Sequence, residues 1–360
     1  MKKIFISPQR YVQGEGELEN LGEYVKRAGR TGLLVAHPDD QVRVQDRLDV
    51  AMTRSQIALV SAEFGGEITG KEIERIAGVA HTSACDVVIG LGGGKALDCA
   101  KAVAGQTKKP CIVVPTIAST DAPCSSLAVV YTADGVFERG IALERNPDVV
   151  LVDTDVIAKA PVRFLVSGMG EALATYFEAR SCIRAYESNV PGGASTRAAW
   201  AIAEECYRIL LKDWQQAIES VEANVVTPAL ENVIEANILL SGIGFESGGL
   251  GAAHAVHNGL TALPETHGYL HGEKVAFGVL VQLVLENTSP EELGTVLGFL
   301  RSVGLPTSLA DVGVDRKSGD VQRVAEVACR PLETIHKMPF KVTARDVHGA
   351  VLVADALGSR

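Results

Sequence analysis

The chain has 360 residues, a hydrophobic content of 47% and a formal net charge of −10. This length, at roughly 100–200 residues per domain, predicts two domains that can each bury a core. The acidic balance, without any dense Lys/Arg run, excludes a nucleic-acid-binding footprint, and no stretch approaches the roughly 18 continuous apolar residues of a membrane span.

Apolar strands and helical segments alternate along the first 160 residues. Strands are predicted at 31–38, 56–64, 86–94 and 110–116, with helices at 39–54, at 69–83 and directly after the third strand. Continuous apolar runs between helices are typical of a parallel sheet that is covered on both faces. Two β-rich pieces follow, at 126–143 and 148–160, and Asp134-Gly135 in the first of them is a hairpin signal.

The character of the sequence changes after about Pro161. Apolar residues at helical spacing predict helices at 194–223, 227–247, 273–287, 289–304 and 343–360. We therefore predict an α/β N-terminal nucleotide-binding domain with a parallel sheet over residues 1–161, and an all-helical domain over residues 162–360.

The stretch VVIGLGGGKALDCAK places a run of glycines, Gly90 and Gly92 to Gly94, between a strand and a helix. Glycines let backbone amides approach a ligand closely, and the start of the following helix favours an anion such as a pyrophosphate. Lys95 adds a positive charge, and Asp98 follows one turn later. The run matches neither the Walker A loop nor the dinucleotide fingerprint, and a plain strand-to-helix turn is the alternative interpretation.

The next strand ends in PTIASTDAPCSS, where hydroxyls and a carboxylate reach the carboxyl edge of the sheet. Open α/β sheets bind their ligands at that edge. The polar side chains are Thr116, Ser119, Thr120, Asp121 and Ser125. Loops of this composition are also common as simple connectors.

Four of the eight histidines, namely His254, His257, His267 and His271, fall within eighteen consecutive residues. His254 and His257 are three residues apart and can share one face of a helix. Two histidines with a carboxylate from elsewhere make a three-ligand site whose open position is typical of catalytic zinc, and iron(II) accepts the same set. For each single histidine, a hydrogen-bonded structural role is the alternative.

The cysteines and the N-terminal residues indicate the cellular compartment in which the protein is expected. The seven cysteines are scattered without a CxxC pair, and the N-terminal residues lack the apolar region of a signal peptide. We therefore predict a cytoplasmic protein whose thiols are reduced.

The chain resembles the iron-type, group III alcohol dehydrogenases, and within them the glycerol dehydrogenases, from near residue 5 to near residue 355. The stretches that carry the resemblance are GLGGGKALDCAKA, PTIASTDAPCSSLAVVYT, GMGEALATYFEAR, VTPALENVIEANILLSGIGFESGGLGAAHAVHNGL and HGEKVAFG. The resemblance implies NAD-dependent oxidation of glycerol to dihydroxyacetone. It also implies a divalent metal, usually zinc, with iron(II) as the alternative, and a homo-oligomer, often an octamer.

The resemblance also assigns roles to residues of this sequence. His254 and His271 match two metal ligands, Glu171 stands at the third ligand position, and Asp121 matches a residue near the polyol; His257 and His267 are not ligand positions. The cofactor positions are His37, Gly93, Gly94, Lys95, Asp98, Thr116, Ser119, Ser125, Leu127 and Tyr131.

Two positions depart from the family pattern. The family has Asp in a GxGDALA motif where this chain has Glu171 in GMGEALA, so the longer side chain predicts a shifted metal, a displaced helix or a lower metal affinity. The family usually has Asp where His37 stands, followed here by Asp39 and Asp40. A carboxylate at this point favours NAD over NADP, and histidine does so less strongly.

Three alternative functions remain open from the sequence. The first is the same chemistry on another small substrate, such as a 2-hydroxy acid or an aldehyde. The second is a lyase of the dehydroquinate synthase type, which the scarcity of basic residues in 115–126 and 251–278 disfavours. The third is a metal-deficient homologue that binds NAD without turnover.

Overall fold

The computed structural model describes residues 1–132, 137–317 and 319–360. The chain forms two compact units. The sheet unit contains Ser7–Phe164 and Gln216–Leu239, and the helical unit contains Met1–Ile6, Leu165–Gln215 and Leu240–Arg360. The domain boundary at residue 161 stays a prediction.

The described residues form eight strands in two sheets. They are β1 (Tyr11–Gly14), β2 (Thr31–Ala36), β3 (Ala58–Glu63), β4 (Val87–Gly92), β5 (Cys111–Pro115), β6 (Leu127–Tyr131), β7 (Phe137–Ala142) and β8 (Val149–Asp153). Six of them form a parallel sheet in the order β1-β8-β5-β4-β2-β3, and β6 and β7 form an antiparallel pair. The parallel sheet confirms the predicted fold class.

Helices make up the rest of the regular structure. They are α1 (Leu21–Ala28), α2 (Pro38–Ser55), α3 (Gly70–Thr82), α4 (Gly94–Thr107), α5 (Thr154–Ala158), α6 (Val162–Ala185), α7 (Arg197–Glu222), α8 (Pro228–Glu235), α9 (Ser241–Gly248), α10 (Ala252–Thr261), α11 (His271–Leu285), α12 (Pro290–Val303), α13 (Asp320–Ala328) and α14 (Ala344–Gly358). A π-helical turn, Ala236–Leu240, joins α8 to α9. The described residues after Pro161 form no strand, as the sequence predicts.

The core of the sheet unit explains why these strands are continuous apolar runs. Alternate residues of β4, such as Val87 and Ile89, belong to one buried cluster with apolar residues of β2, β5 and β8. Val44 and Leu48 of α2 cover that cluster. Burial of each large apolar side chain contributes about 1.5–3 kcal/mol.

One predicted element is wrong in part. The piece 148–160 was expected to be β-rich, but only β8 is a strand and α5 follows it at once. The reason is Asp153, because its Oδ1 accepts the N–H groups of Asp155 and Val156 and caps the new helix. The predicted hairpin turn at Asp134-Gly135 lies outside the described residues.

The cysteines are all free thiols, and six of the seven are buried. Burial is the main cause that raises the pKa of Cys99 and of Cys111 to about 12. These thiols therefore act as small apolar side chains at neutral pH. Among the described residues, no helix has both the length and the hydropathy needed to cross a bilayer.

Candidate functional site

The helical unit brings together the three residues proposed as metal ligands. Glu171 lies on α6, His254 lies on α10, and His271 is the first residue of α11. Each offers one ligand atom, and these atoms all lie within 4.8 Å of one another. His271 Nε2 lies 2.9 Å from Glu171 Oε1. Two imidazoles and one carboxylate form a donor set that fits a divalent metal and leaves a position open for substrate.

Two glycines determine how closely the ligand-bearing helices approach. A Cβ at Gly272 would lie 1.8 Å from the carbonyl oxygen of Ser167, and a Cβ at Gly170 would lie 2.5 Å from the carbonyl oxygen of Gly272. The backbones of α6 and α11 are therefore in contact beside Glu171 and His271. The shifted metal, the displaced helix and the lower metal affinity that were predicted for Glu171 stay predictions.

The substitution Gly272→Ala tests this close packing. Because the new methyl group overlaps Ser167, we expect the free energy of unfolding to fall by about 1–3 kcal/mol, as in other overpacked interiors. We also expect the zinc affinity of the metal-free protein to fall, since α6 and α11 must separate. Chemical denaturation and competition with a zinc chelator measure the two effects.

Gly298→Ala on α12 is the matched control for that substitution. A Cβ at Gly298 meets no heavy atom within 4 Å. Alanine in a helix interior is more favourable than glycine by roughly 1 kcal/mol, so this variant should be at least as stable as the parent and bind zinc equally. Equal behaviour of the two variants would contradict a packing role for Gly272.

The other two clustered histidines have different surroundings. The ring centres of His257 and His271 are 4.1 Å apart. Nδ1 of His257 lies 3.1 Å from Asn258 Oδ1. Burial first, and then the neighbouring His271, lower the pKa of His257 well below its usual value. His267 is exposed, and its Nε2 lies 3.1 Å from the carbonyl oxygen of Thr261. Neither residue belongs to the group that could hold a metal within the described ranges.

The glycine run lies in the sheet unit, where β4 ends and α4 begins. Gly92 has a φ of 138°, which only glycine adopts readily. Gly93 is the N-cap of α4 and, as a glycine, supplies no side-chain cap hydrogen bond. The N-terminus of this 14-residue helix directly follows the glycines, and a helix N-terminus favours an anion. Lys95 Nζ lies 2.5 Å from Glu67 Oε2 and 5.2 Å from the centre of the Tyr131 ring.

The polar loop after β5 packs against the same helix. Its side chains at Thr116, Ser119, Asp121 and Ser125 are all buried. The Thr116 amide donates to the carbonyl oxygen of Gly92 at 3.0 Å. A Cβ at Gly94 would lie 3.2 Å from Thr120 Oγ1, which brings this loop next to the glycine run.

A buried lysine that the sequence prediction missed connects α4 to this loop. Lys101 Nζ donates to the carbonyl oxygens of Ala122 and Leu127, at 2.7 and 2.5 Å, and lies 2.8 Å from Asp98 Oδ1. The other oxygen of Asp98 accepts the N–H of Val129 at 2.9 Å. Asp98, which was predicted at a cofactor position, thus contacts β6, the strand that contains Leu127 and Tyr131. The sequence signal that could have revealed this contact is the spacing of Lys101 three residues after Asp98, within a mostly apolar part of the helix.

The residues after β2 have two different environments. His37 is the N-cap of α2, where its Nδ1 accepts the N–H of Asp39 at 3.3 Å. Asp40 instead faces the glycine run, because a Cβ at Gly92 would lie 3.0 Å from its Oδ2. Burial raises the pKa of Asp40. Asp40 is therefore the carboxylate closest to the glycine run among the residues that directly follow β2.

Comparison with known proteins gives consistent matches. The sequence profile of iron-containing alcohol dehydrogenases matches residues 8–154. A glycerol dehydrogenase of Thermotoga maritima is 51% identical over 354 residues, which cover 98% of this chain and 97% of that protein. A glycerol dehydrogenase of Escherichia coli O6:H1 is 49% identical over 361 residues, covering 100% of this chain and 98% of that protein. The crystal structure of a probable glycerol dehydrogenase from Sinorhizobium meliloti 1021 superposes with a TM-score of 0.94 at 46% identity, covering 99% of each chain.

Proposed function

The chain belongs to the iron-containing alcohol dehydrogenase family, and from this premise we propose that it oxidises glycerol, or a similar vicinal diol, with NAD as hydride acceptor. The product from glycerol is dihydroxyacetone. The observation that carries the proposal is the convergence of Glu171, His254 and His271 in a protein so similar to glycerol dehydrogenases.

The three convergent residues would hold the divalent metal, and zinc is our choice for it, with iron(II) as the alternative. A bound divalent metal supplies Lewis acidity that lowers the pKa of a coordinated hydroxyl. The chain contributes the ligand geometry, which depends on the backbone contact between α6 and α11. Three protein ligands leave a further position for the substrate, as catalytic zinc sites do.

The sheet unit would hold the cofactor. The start of α4 and the glycine run would bind the pyrophosphate, and Lys95 would add a positive charge beside them. We retain Thr116, Ser119, Ser125, Leu127 and Tyr131 as the residues that line the rest of the cofactor site.

Two carboxylates of the sheet unit would contribute to specificity. Asp121, which is buried in the loop after β5, hydrogen-bonds a second hydroxyl of the substrate and so favours vicinal diols. Asp40 supports a preference for NAD over NADP, since a carboxylate accepts hydrogen bonds from the ribose diol and repels a 2′-phosphate. A cytoplasmic homo-oligomer, an octamer in line with the family, completes the proposal.

Metal analysis of the purified protein together with a substrate panel tests this function. We expect a bound divalent metal and NADH formation from glycerol and 1,2-propanediol, with a lower rate when NADP replaces NAD. Lactate, as a 2-hydroxy acid, is the comparison substrate. A metal-replete enzyme that reduces NAD with lactate and with neither diol would contradict the assignment.

A further inference from the structure

The helix that carries His254 receives its N-terminal cap from two other helices. Gly251, at the N-cap of α10, has no side chain with which to bind the first amides of the helix. Glu178 Oε1 of α6 accepts the N–H groups of Gly251 and His254, both at 2.9 Å. Gln282 Oε1 of α11 accepts those of Ala252 and Ala253, at 3.0 and 3.1 Å. The same two helices carry Glu171 and His271, the other two proposed ligands.

Glu178 makes one contact that a cap does not need. Its Oε2 lies 2.6 Å from Nδ1 of the His254 ring, and the Glu178 side chain is completely buried. A carboxylate only accepts hydrogen bonds, so this contact places a proton on Nδ1 of the imidazole. Nε2 of His254 then keeps its lone pair and becomes the nitrogen available to a metal.

We propose that Glu178 is a positioning residue that fixes the tautomer and orientation of His254 and thereby makes Nε2 a metal ligand. The proposal rests on the metal site of the proposed function. Histidine ligands in metalloproteins commonly donate their second N–H to a carboxylate, and loss of that partner typically lowers metal affinity by about 10–100-fold. A purely structural cap is the alternative role for Glu178.

The isosteric variant Glu178→Gln separates the two roles. Its amide can still cap α10, but an NH₂ group that faces Nδ1 moves the imidazole proton to Nε2 and removes the ligand lone pair. We expect the zinc affinity of the metal-free protein, measured by competition with a chromogenic chelator, to fall by about 10–100-fold. A variant that remains folded and binds zinc as tightly as the wild type would overturn the proposal.

Gln282→Met provides the matched control, because Gln282 caps the neighbouring amides without touching the imidazole. We expect this variant to melt at a lower temperature and to bind zinc within about threefold of the wild type, since the tautomer of His254 is preserved. Equal losses of zinc affinity in the two variants would reduce Glu178 to a structural cap and overturn the proposal.

A spectroscopic measurement on the wild type does not depend on how the variants fold. Nitrogen-15 correlation spectra of the metal-free, histidine-labelled protein report which ring nitrogen carries the proton, and we expect Nδ1–H for His254. An Nε2–H tautomer, or a wild-type protein that binds no zinc, overturns the inference. Neither readout uses turnover, so a chain that binds zinc and fails to oxidise glycerol counts against the proposed function alone.

Discussion

We expect replacement of Glu171 by glutamine to lower the turnover of glycerol by about 10²–10³-fold, the range found when one electrostatic group of an active site is lost. Glutamine keeps the shape of the side chain and removes the only carboxylate of the three-ligand group. A neutral amide oxygen is a weaker ligand for a divalent cation than a carboxylate. We therefore expect the bound metal to decrease together with turnover. Steady-state kinetics at saturating NAD and metal analysis of the same preparation measure both effects.

Glu291→Gln is the control for this loss. Glu291 is an exposed carboxylate in the first turn of α12, and the substitution removes one negative charge from the same unit of the protein. Surface changes of this kind usually alter stability by no more than about 0.5 kcal/mol, so turnover and metal content should stay at the wild-type level. A Glu171→Gln enzyme that keeps its metal and its turnover would remove Glu171 from the metal site.

The features that could be predicted from the sequence are those whose residues lie close together along the chain. The strand, glycines and helix of the glycine run follow one another directly, and His254 and His271 fall in a single stretch. Glu171 lies more than 80 residues before His254, so only the family resemblance could pair it with the histidines. The four-residue strand β1 went unpredicted because its pattern is too short for period-2 alternation.

The contacts that hold the site together could not be predicted, because they are tertiary. The cap from Glu178 onto Gly251 and the backbone contact between α6 and α11 at Gly272 depend on how helices pack. The same holds for Asp40, whose closeness to Gly92 requires the parallel pairing of β2 with β4. Sequence patterns indicate which residue types are present at an edge or a helix end, whereas packing decides which of them meet.

Lys101→Met should lower the free energy of unfolding by about 3–5 kcal/mol, which is the usual result when one partner of a buried ion pair is removed. The Lys101 side chain is only 1% exposed, and its ammonium group lies between Asp98 and the carbonyl oxygens of Ala122 and Leu127. Methionine fills a similar volume, but it leaves the buried Asp98 carboxylate without this cation and those oxygens without this donor.

The same substitution should weaken NAD binding. Lys101 Nζ donates hydrogen bonds to Ser125 and Leu127, which are two of the predicted cofactor residues. Without these hydrogen bonds the segment that contains Ser125 and Leu127 must be ordered when NAD binds, so we expect the dissociation constant for NAD to rise by roughly tenfold, which corresponds to about 1.4 kcal/mol. Chemical denaturation and quenching of tryptophan fluorescence by NAD measure the two effects.

A double variant decides whether the ion pair causes the instability. Asp98→Asn combined with Lys101→Met removes both charges, while the asparagine side-chain oxygen can still accept the amide of Val129. Removal of both partners relieves the uncompensated buried charge, so we expect the double variant to be more stable than Lys101→Met alone. NAD binding should stay weak in it, because the contacts of Lys101 to the loop remain absent. If the double variant is no more stable than the single one, the role of Lys101 lies in packing rather than in charge.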